Sequence, residues 1–152
     1  MVGFCGLVQT GRGWGPLPDA EIEEALRLAR RALEVGKDDP DVLWMGGWTI
    51  GGLAGEHSAG GNAIARALAL NPNSAYAWMA SGAVWCYRNQ PDPAIKSFES
   101  AIRLSPLDAH DWDFAAGLAF AHLLAGRYQE ASEWAERSLH ELPSMFRRFG
   151  SR

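Results

Sequence analysis

Apolar residues recur with helical spacing along most of the chain. Ala94, Phe98 and Ala101 lie at positions i, i+4 and i+7, which places them on one stripe of a helix. The strand formers Val, Ile and Thr never alternate with polar residues over four or more positions, so no half-buried strand is expected. The pattern therefore predicts an all-helical protein.

Helix start and stop signals divide the chain into one single helix and three helical hairpins. Pro18 and Asp19, followed by glutamates in the first turn, predict a helix over residues 20–35. Residues 90–93, Gln-Pro-Asp-Pro, predict a tight corner in which Asp92 caps the next helix. The predicted hairpins comprise residues 41–54 and 58–70, residues 75–88 and 92–104, and residues 110–125 and 128–141.

The hairpins repeat with a period of 34 residues. Trp44 and Trp78 are separated by 34 residues, and so are Pro72 and Pro106. An ordinary helical bundle would also need an apolar stripe on every helix, but it gives no reason for a period of this kind. The sequence therefore favours a repeat array over a bundle.

The middle copy resembles the tetratricopeptide repeat. That repeat has a tryptophan, a small residue four positions later, an aromatic residue three positions beyond, and an A-x3-F element before a proline. The matching positions here are Trp78, Gly82, Trp85, Asn89, Ala94, Phe98, Ala101 and Pro106. In this interpretation small residues at 82 and 94 keep the two helices close, and the ring of Phe98 fills the space between them.

The resemblance implies an all-α, right-handed solenoid of about three full repeats plus a preceding half repeat. The half repeat is a second helix, whose Ala25, Ala29 and Ala32 match the alanine and phenylalanine positions of the middle copy. The predicted organisation is a glycine-rich remnant at 1–19, a solenoid at 20–143 and a tail at 144–152. The units of the solenoid comprise residues 20–40, 41–74, 75–108 and 109–143.

A binding surface is also implied by the resemblance. In tetratricopeptide arrays the first helix of each hairpin lines a concave groove that holds an extended peptide or a partner helix. The groove residues expected here are Met45, Thr49, Leu53, Tyr76, Met79, Ala83, Tyr87, Asp113, Ala116, Phe120 and Leu124. They are mostly apolar or aromatic, and they lack the basic and amide residues with which chaperone-binding members of the family clamp a C-terminal carboxylate. The alternative is that some of them are buried between helices.

Composition and charge narrow the classes of function. The 152 residues are 47% hydrophobic and 21% charged, which suits one globular domain. The net charge of −4 argues against a nucleic-acid partner. Cys5 and Cys86 form neither a disulfide framework nor a C-x-x-C pair, so reduced thiols and a cytoplasmic location are expected. The apolar run at residues 2–8 is broken by glycines and has no basic flank, so neither a signal peptide nor a membrane partner is expected.

No catalytic, metal or cofactor site is predicted. The glycine cluster at residues 46–61 lacks the GK[ST] ending of a phosphate-binding loop, and no strand precedes it. Aspartates around His110 form the one cluster that could attract a metal, although a solvated acidic turn explains them better. These aspartates are Asp108, Asp111 and Asp113. Because no nucleophile elbow or Ser-His-Asp arrangement is present either, the sequence does not predict an enzyme.

Three segments resemble a narrower group, the tetratricopeptide regions attached to class III adenylate/guanylate cyclases of alphaproteobacteria. They are residues 25–40 (ALRLARRALEVGKDDP), 65–72 (ARALALNP) and 116–139 (AGLAFAHLLAGRYQEASEWAERSL). The cyclase catalytic domain is not part of this sequence, so the resemblance implies a regulatory or assembly module of a bacterial protein. The first hypothesis is a non-catalytic interaction module that holds a protein or peptide, or pairs with itself. The alternative is a regulatory sensor whose groove closes on a small molecule.

Overall fold

The computed structural model describes residues 17–106 and 111–141, except for the side chain of Asp111. These residues form seven α-helices and no strand. The helices are α1 (Asp19–Val35), α2 (Pro40–Leu53), α3 (His57–Leu70), α4 (Ala75–Tyr87), α5 (Pro91–Leu104), α6 (Asp111–Leu124) and α7 (Tyr128–Glu141). Every helix begins and ends within one residue of its predicted bounds. The tail at 144–152 and most of the remnant at 1–19 lie outside the described residues.

The helices form two layers. The first helices of the hairpins, α2, α4 and α6, pack side by side and are called the A layer here. The remaining helices, α1, α3, α5 and α7, form the B layer. Each first helix packs against its own second helix and also against the second helix of the preceding unit. The main contacts thus join neighbouring units only, which is the arrangement of a helix-turn-helix solenoid and confirms the predicted fold class.

The turns inside the three hairpins share one backbone conformation. Gly55, Asn89 and Gly126 have φ angles of 70°, 55° and 72°, in the left-handed region that glycine and asparagine tolerate best. At the middle turn the N–H of Gln90 donates to the carbonyl oxygen of Trp85 at 2.9 Å, which satisfies a free carbonyl at the end of α4. The repeat in the sequence is therefore also a repeat of turn geometry.

The start of α2 is capped by a side chain. The carboxylate of Asp39 accepts hydrogen bonds from the backbone N–H groups of Asp41 at 2.9 Å and Val42 at 3.4 Å. Pro40 follows at the first helical position, where its missing N–H costs nothing. This cap fixes the point at which the first full unit begins.

We expect Asp39→Ala to lower the free energy of unfolding by about 1 kcal/mol, because two backbone donors lose their acceptor. Asp39→Asn is the matched control, since an amide oxygen caps a helix about as well as a carboxylate. Urea denaturation of both variants measures the difference. Equal losses in the two variants would show that the charge of Asp39, and not its capping bond, stabilises α2.

The prediction that Asp92 caps α5 was wrong. This helix begins at Pro91, and its N-cap residue, Gln90, makes no side-chain capping bond. The carboxylate of Asp92 instead accepts a hydrogen bond from the guanidinium of Arg127 at 2.9 Å. An acidic residue in the first turn is favourable at the positive end of the helix dipole whether or not its side chain caps the helix. The sequence pattern is therefore the same for an Asp92 that caps α5 and for an Asp92 that pairs with Arg127.

The ring of Phe98 forms the centre of the core. Phe98 is fully buried between two glycines of the A layer, Gly82 in α4 and Gly117 in α6. A Cβ atom on Gly82 would lie 2.7 Å from the ring, and one on Gly117 would lie 2.6 Å from its Cζ atom. The predicted role of Gly82 and Phe98 is therefore confirmed, and Gly117 extends it to the next unit.

Glycines also bring the helices of the first hairpin into backbone contact. A Cβ atom on Gly60 of α3 would overlap the carbonyl oxygen of Gly47 in α2 and lie 2.9 Å from the Cα atom of Gly51. The same helices therefore approach each other at positions where only hydrogen atoms fit between the backbones. Within the glycine cluster at 46–61, Gly47, Gly51 and Gly60 are therefore packing residues of this hairpin.

Candidate protein-interaction surface

A row of aromatic side chains crosses the three helices of the A layer. Trp44 of α2 stacks on Tyr76 of α4, with ring centroids 5.9 Å apart and ring planes at 16°. Tyr76 in turn meets Phe114 of α6 edge to face, with centroids 5.8 Å apart and planes at 71°. Trp48 extends the row one turn along α2, 6.4 Å from Trp44. These pair geometries are favourable for aromatic rings and connect all three units.

Most of this aromatic row is partly accessible. Phe114 is fully buried, whereas Trp44, Trp48 and Tyr76 are half-buried. Next to Trp44 along the chain, Met45 is 47% exposed. Half-buried aromatic rings beside an exposed methionine form an adaptable apolar surface. We call Trp44, Met45, Trp48 and Tyr76 the aromatic patch.

Three of the expected groove residues are buried. Met79, Ala83 and Tyr87 all lie in α4 and have little or no exposed surface. The reason is the position of α4, which has a helix of the A layer on each side and two B-layer helices behind it. These three expected groove residues are therefore buried between helices, and their side chains stabilise the packing of the solenoid.

The other expected groove residues keep accessible surface. Met45 is exposed, and the remaining seven are partly exposed. These seven are Thr49, Leu53, Tyr76, Asp113, Ala116, Phe120 and Leu124. The accessible part of the expected groove thus lies mainly on α2 and α6, with Tyr76 between them.

The helices of the A layer carry few charged residues, and those few are acidic. Helices α2, α4 and α6 contain no lysine or arginine, and their acidic residues are confined to the first turns of α2 and α6. The side chain of Asp41 accepts a hydrogen bond from the indole N–H of Trp44 at 3.2 Å, so it also orients the aromatic patch. A surface of this kind offers no cationic anchor for a carboxylate.

Sequence reasoning missed Trp44, Trp48 and Phe114 as members of the surface row. In the sequence Trp44 is a marker of the repeat, and its spacing of four residues from Trp48 is the signal that both rings share one face of α2. No comparable signal exists for Phe114. Its contact with Tyr76 joins two different units and depends on how those units pack.

Two titratable side chains near the A layer, those of His57 and Cys86, are packed against the helices around them. The ring of His57 stacks on Tyr87 with centroids 5.5 Å apart, and its Nδ1 atom lies 2.9 Å from the carbonyl oxygen of Gly51. Burial raises the pKa of the Cys86 thiol to about 12. This thiol therefore stays protonated at neutral pH and is a poor nucleophile.

The metal-site alternative falls mainly on residues that are not described. Asp108 and His110 lie outside the described residues, and so does the side chain of Asp111. Within residues 17–106 and 111–141, no group of three or more His, Cys, Asp or Glu side chains could hold a metal ion. In that same part of the chain, no helix is both long and apolar enough to cross a membrane.

The alternation of the two layers, the small residues between paired helices and the buried ring of Phe98 define a tetratricopeptide-like helical solenoid. Among solved structures, two crystal structures of MamA have a similar fold. One has a TM-score of 0.64 at 21% sequence identity, and the match covers 79% of this chain and 63% of that chain. The other has a TM-score of 0.61 at 20% identity and covers 79% of this chain and 77% of that chain.

At these identities the likeness shows the fold alone. This chain spans less than two thirds of the first MamA structure, 63% of its length. No protein-family model matches the sequence, and no curated protein sequence matches it either.

Proposed function

We propose that this chain is a non-catalytic protein-interaction module that binds a partner protein or peptide along its A layer. The observation that carries the proposal is the aromatic patch, in which three half-buried rings and an exposed methionine adjoin each other across α2 and α4. Large rigid rings and flexible methionines contribute much of the binding energy at protein interfaces. The partner contacts extend to the accessible groove residues of α6, namely Asp113, Ala116, Phe120 and Leu124.

The chemistry of the surface favours an apolar partner. Because the A layer has no lysine or arginine, it has no counter-charge for an acidic peptide or a terminal carboxylate. Self-association through the same apolar surface is a second form of the proposal, since a second copy offers a surface of equal polarity. In both forms the chain holds a partner and transforms no substrate.

A photo-crosslinking amino acid at position 45 tests the proposal. Met45 is exposed beside the aromatic patch, whereas the control position, Glu99, is exposed on α5 of the B layer. In cells of the source organism we expect a discrete protein adduct from position 45 and none from position 99. Tyr76→Ala in the same background should weaken the adduct, because the middle ring of the row is lost. Equal adducts from both positions would overturn the proposal.

The alternative function is that of a regulatory sensor in the cytoplasm of a bacterium. The regulatory role rests on the resemblance of residues 25–40, 65–72 and 116–139 to the tetratricopeptide regions of cyclases. The cytoplasmic location rests on the two isolated cysteines, which form no disulfide framework. A small molecule that binds the folded state stabilises it by about 2.7 kcal/mol at one hundred times its dissociation constant. Thermal unfolding with a panel of nucleotides and metabolites separates the two functions, because an interaction module gives no shift with any of them.

A further inference from the structure

The aromatic row lies at one end of the A layer. Trp44, Tyr76 and Phe114, which contact each other in that order, all lie within the first five residues of their helices. The beginnings of α2, α4 and α6 are therefore side by side, and we call these first turns the N-terminal edge of the A layer. A charge carried by one of these turns lies close to the aromatic patch.

The acidic residues of the A layer are collected at this edge. Asp41 of α2 is exposed, and Asp113 of α6 is partly exposed. Asp41 accepts the indole N–H of Trp44 at 3.2 Å, and Asp113 directly precedes Phe114 in the chain. The three helices contain no lysine or arginine, and their one histidine, His122, is buried in the last turn of α6. The aromatic row thus runs between two carboxylates.

The basic residues of the described chain lie in the B layer and in the connecting segments. In the segment ahead of α2, Asp38 and Asp39 outnumber Lys37, and Arg66 of α3 pairs with Asp38. Arg127, in the last turn between helices, pairs with Asp92 of α5. The A layer therefore has no lysine or arginine of its own to place over its exposed rings.

Elsewhere in this chain, tryptophan rings do take a guanidinium group. Arg88 lies 4.8 Å from the centroid of the Trp85 ring, and Arg137 lies 5.1 Å from that of Trp134. The Nε atom of Arg137 also donates to the carboxylate of Glu141 at 2.9 Å. One guanidinium thus contacts a ring and a carboxylate together, an arrangement in which the ring face and the negative charge both attract the cation. The N-terminal edge offers the same two groups without the cation.

We propose that the partner bound at the A layer presents a basic side chain to the N-terminal edge, between Asp41 and Asp113. Arginine fits this position best, because its planar guanidinium stacks on aromatic rings and forms hydrogen bonds to carboxylates. The apolar residues of the partner then extend over the groove toward Leu53 and Leu124, at the other ends of α2 and α6. The inference rests on the proposed function and specifies its partner as an apolar segment with a basic residue on one side.

Charge variants of the chain with the photo-crosslinking amino acid at position 45 test this inference. Replacing both Asp41 and Asp113 by asparagine removes the two charges, while the amide oxygen at position 41 still accepts the indole N–H of Trp44. We expect the adduct yield in cells to fall about threefold or more, the effect of losing two exposed charge pairs. Replacing both by glutamate should keep the yield, and so should the control Glu99→Gln on α5. Thermal unfolding of each purified variant verifies that it is folded at the temperature of the assay.

The outcomes separate this inference from the proposed function. An adduct that forms from position 45 and is unchanged in the asparagine pair would overturn the inference and leave the interaction module in place. No adduct from the parent chain would overturn both. An adduct of twice the mass of the chain would show that a second copy occupies the A layer. Because a second A layer carries no lysine or arginine, that result would also overturn the inference.

Ionic strength provides an independent readout in cell lysate. Raising the salt concentration from about 0.05 to 0.5 M screens exposed charges and does not weaken apolar contacts. We expect the adduct yield of the parent chain to fall over this range, and that of the asparagine pair to change much less. A parent yield that stays constant or rises with salt would show that apolar contacts alone hold the partner, and it would overturn the inference.

Discussion

Replacing Gly60 by alanine should destabilise the protein by about 1–3 kcal/mol, the cost typical of overpacking a tight interior. The new Cβ atom would overlap the carbonyl oxygen of Gly47 and lie 2.9 Å from the Cα atom of Gly51. Both neighbours are backbone atoms inside α2, so neither can move aside by a rotamer change. Relief requires α2 and α3 to separate, which would disturb their packing along the whole hairpin.

Gly61, the next residue in α3, is the matched control. Its Cβ atom would lie 3.5 Å from a methyl group of Val84, an ordinary van der Waals distance. Gly61→Ala should therefore raise the free energy of unfolding by about 0.5–1 kcal/mol, since alanine loses less backbone entropy in a helix than glycine does. Denaturant unfolding of the two variants should give shifts of opposite sign. Shifts of the same sign would show that the hairpin is not closed by backbone contact at Gly60.

The repeat in the sequence predicted where Gly60 lies but not why it is glycine. Its position in the unit is that of Ala94. The sequence alone therefore indicates that this position needs a small residue, and it gives no reason why glycine is preferred to alanine. The requirement comes from Gly47, which lies on the other helix of the hairpin. Such a pairwise constraint appears only when both helices are in place, because no periodicity relates the two positions.

The helices and their pairing could be predicted because each depends on local signals. Proline, capping residues and left-handed turn residues determine where helices begin and end, and the 34-residue period specifies that equivalent helices stack. Phe98 and Gly82 were also predictable, since they belong to one unit. The contact of Phe98 with Gly117 was not, because it joins two units.

The accessible surface was predicted less completely, for a physical reason. A stripe along a helix places Met45 and Met79 at equivalent positions, but exposure also depends on how many neighbours the helix has. Because α4 is flanked on both sides, Met79 is buried while Met45 on α2 is exposed. Sequence periodicity gives the direction of a side chain relative to its own helix, whereas neighbouring units determine whether it is covered.

Replacing Phe98 by alanine should lower the free energy of unfolding by about 3–5 kcal/mol, the range for deleting a buried aromatic ring. The ring is fully buried and is held between α4 and α6, so little can collapse into the space it leaves. Domains of ordinary size are stable by only about 5–15 kcal/mol, so this one change removes a large part of the total. Thermal and urea unfolding measure the loss, and a loss below about 1 kcal/mol would contradict the central role of the ring.

A double-mutant cycle with Gly117 tests the specific contact while keeping the variants folded. Gly117→Ala alone should destabilise the protein, because its Cβ atom would lie 2.6 Å from the Cζ atom of Phe98. Phe98→Leu removes that part of the ring, so the double variant should be more stable than the sum of the single losses, by about 0.5–3 kcal/mol. Gly126 supplies the control: alanine there is strained by the φ angle of 72°, but its Cβ atom meets nothing within 4 Å, so the cost is local to the turn. Its alanine variant should add independently to Phe98→Leu.

The cycle also reports on how the units cooperate. Phe98 contacts Gly82 within its own hairpin and Gly117 in the next one, so the same ring stabilises a unit and its interface. In a solenoid, global cooperativity depends on such interfaces, because units without them unfold separately. We therefore expect Phe98→Ala to lower the slope of the urea transition as well as its midpoint, since α6 and α7 would begin to unfold before the rest. A lower midpoint with an unchanged slope would show that the contacts of Tyr76 with Phe114 suffice to couple the last two hairpins.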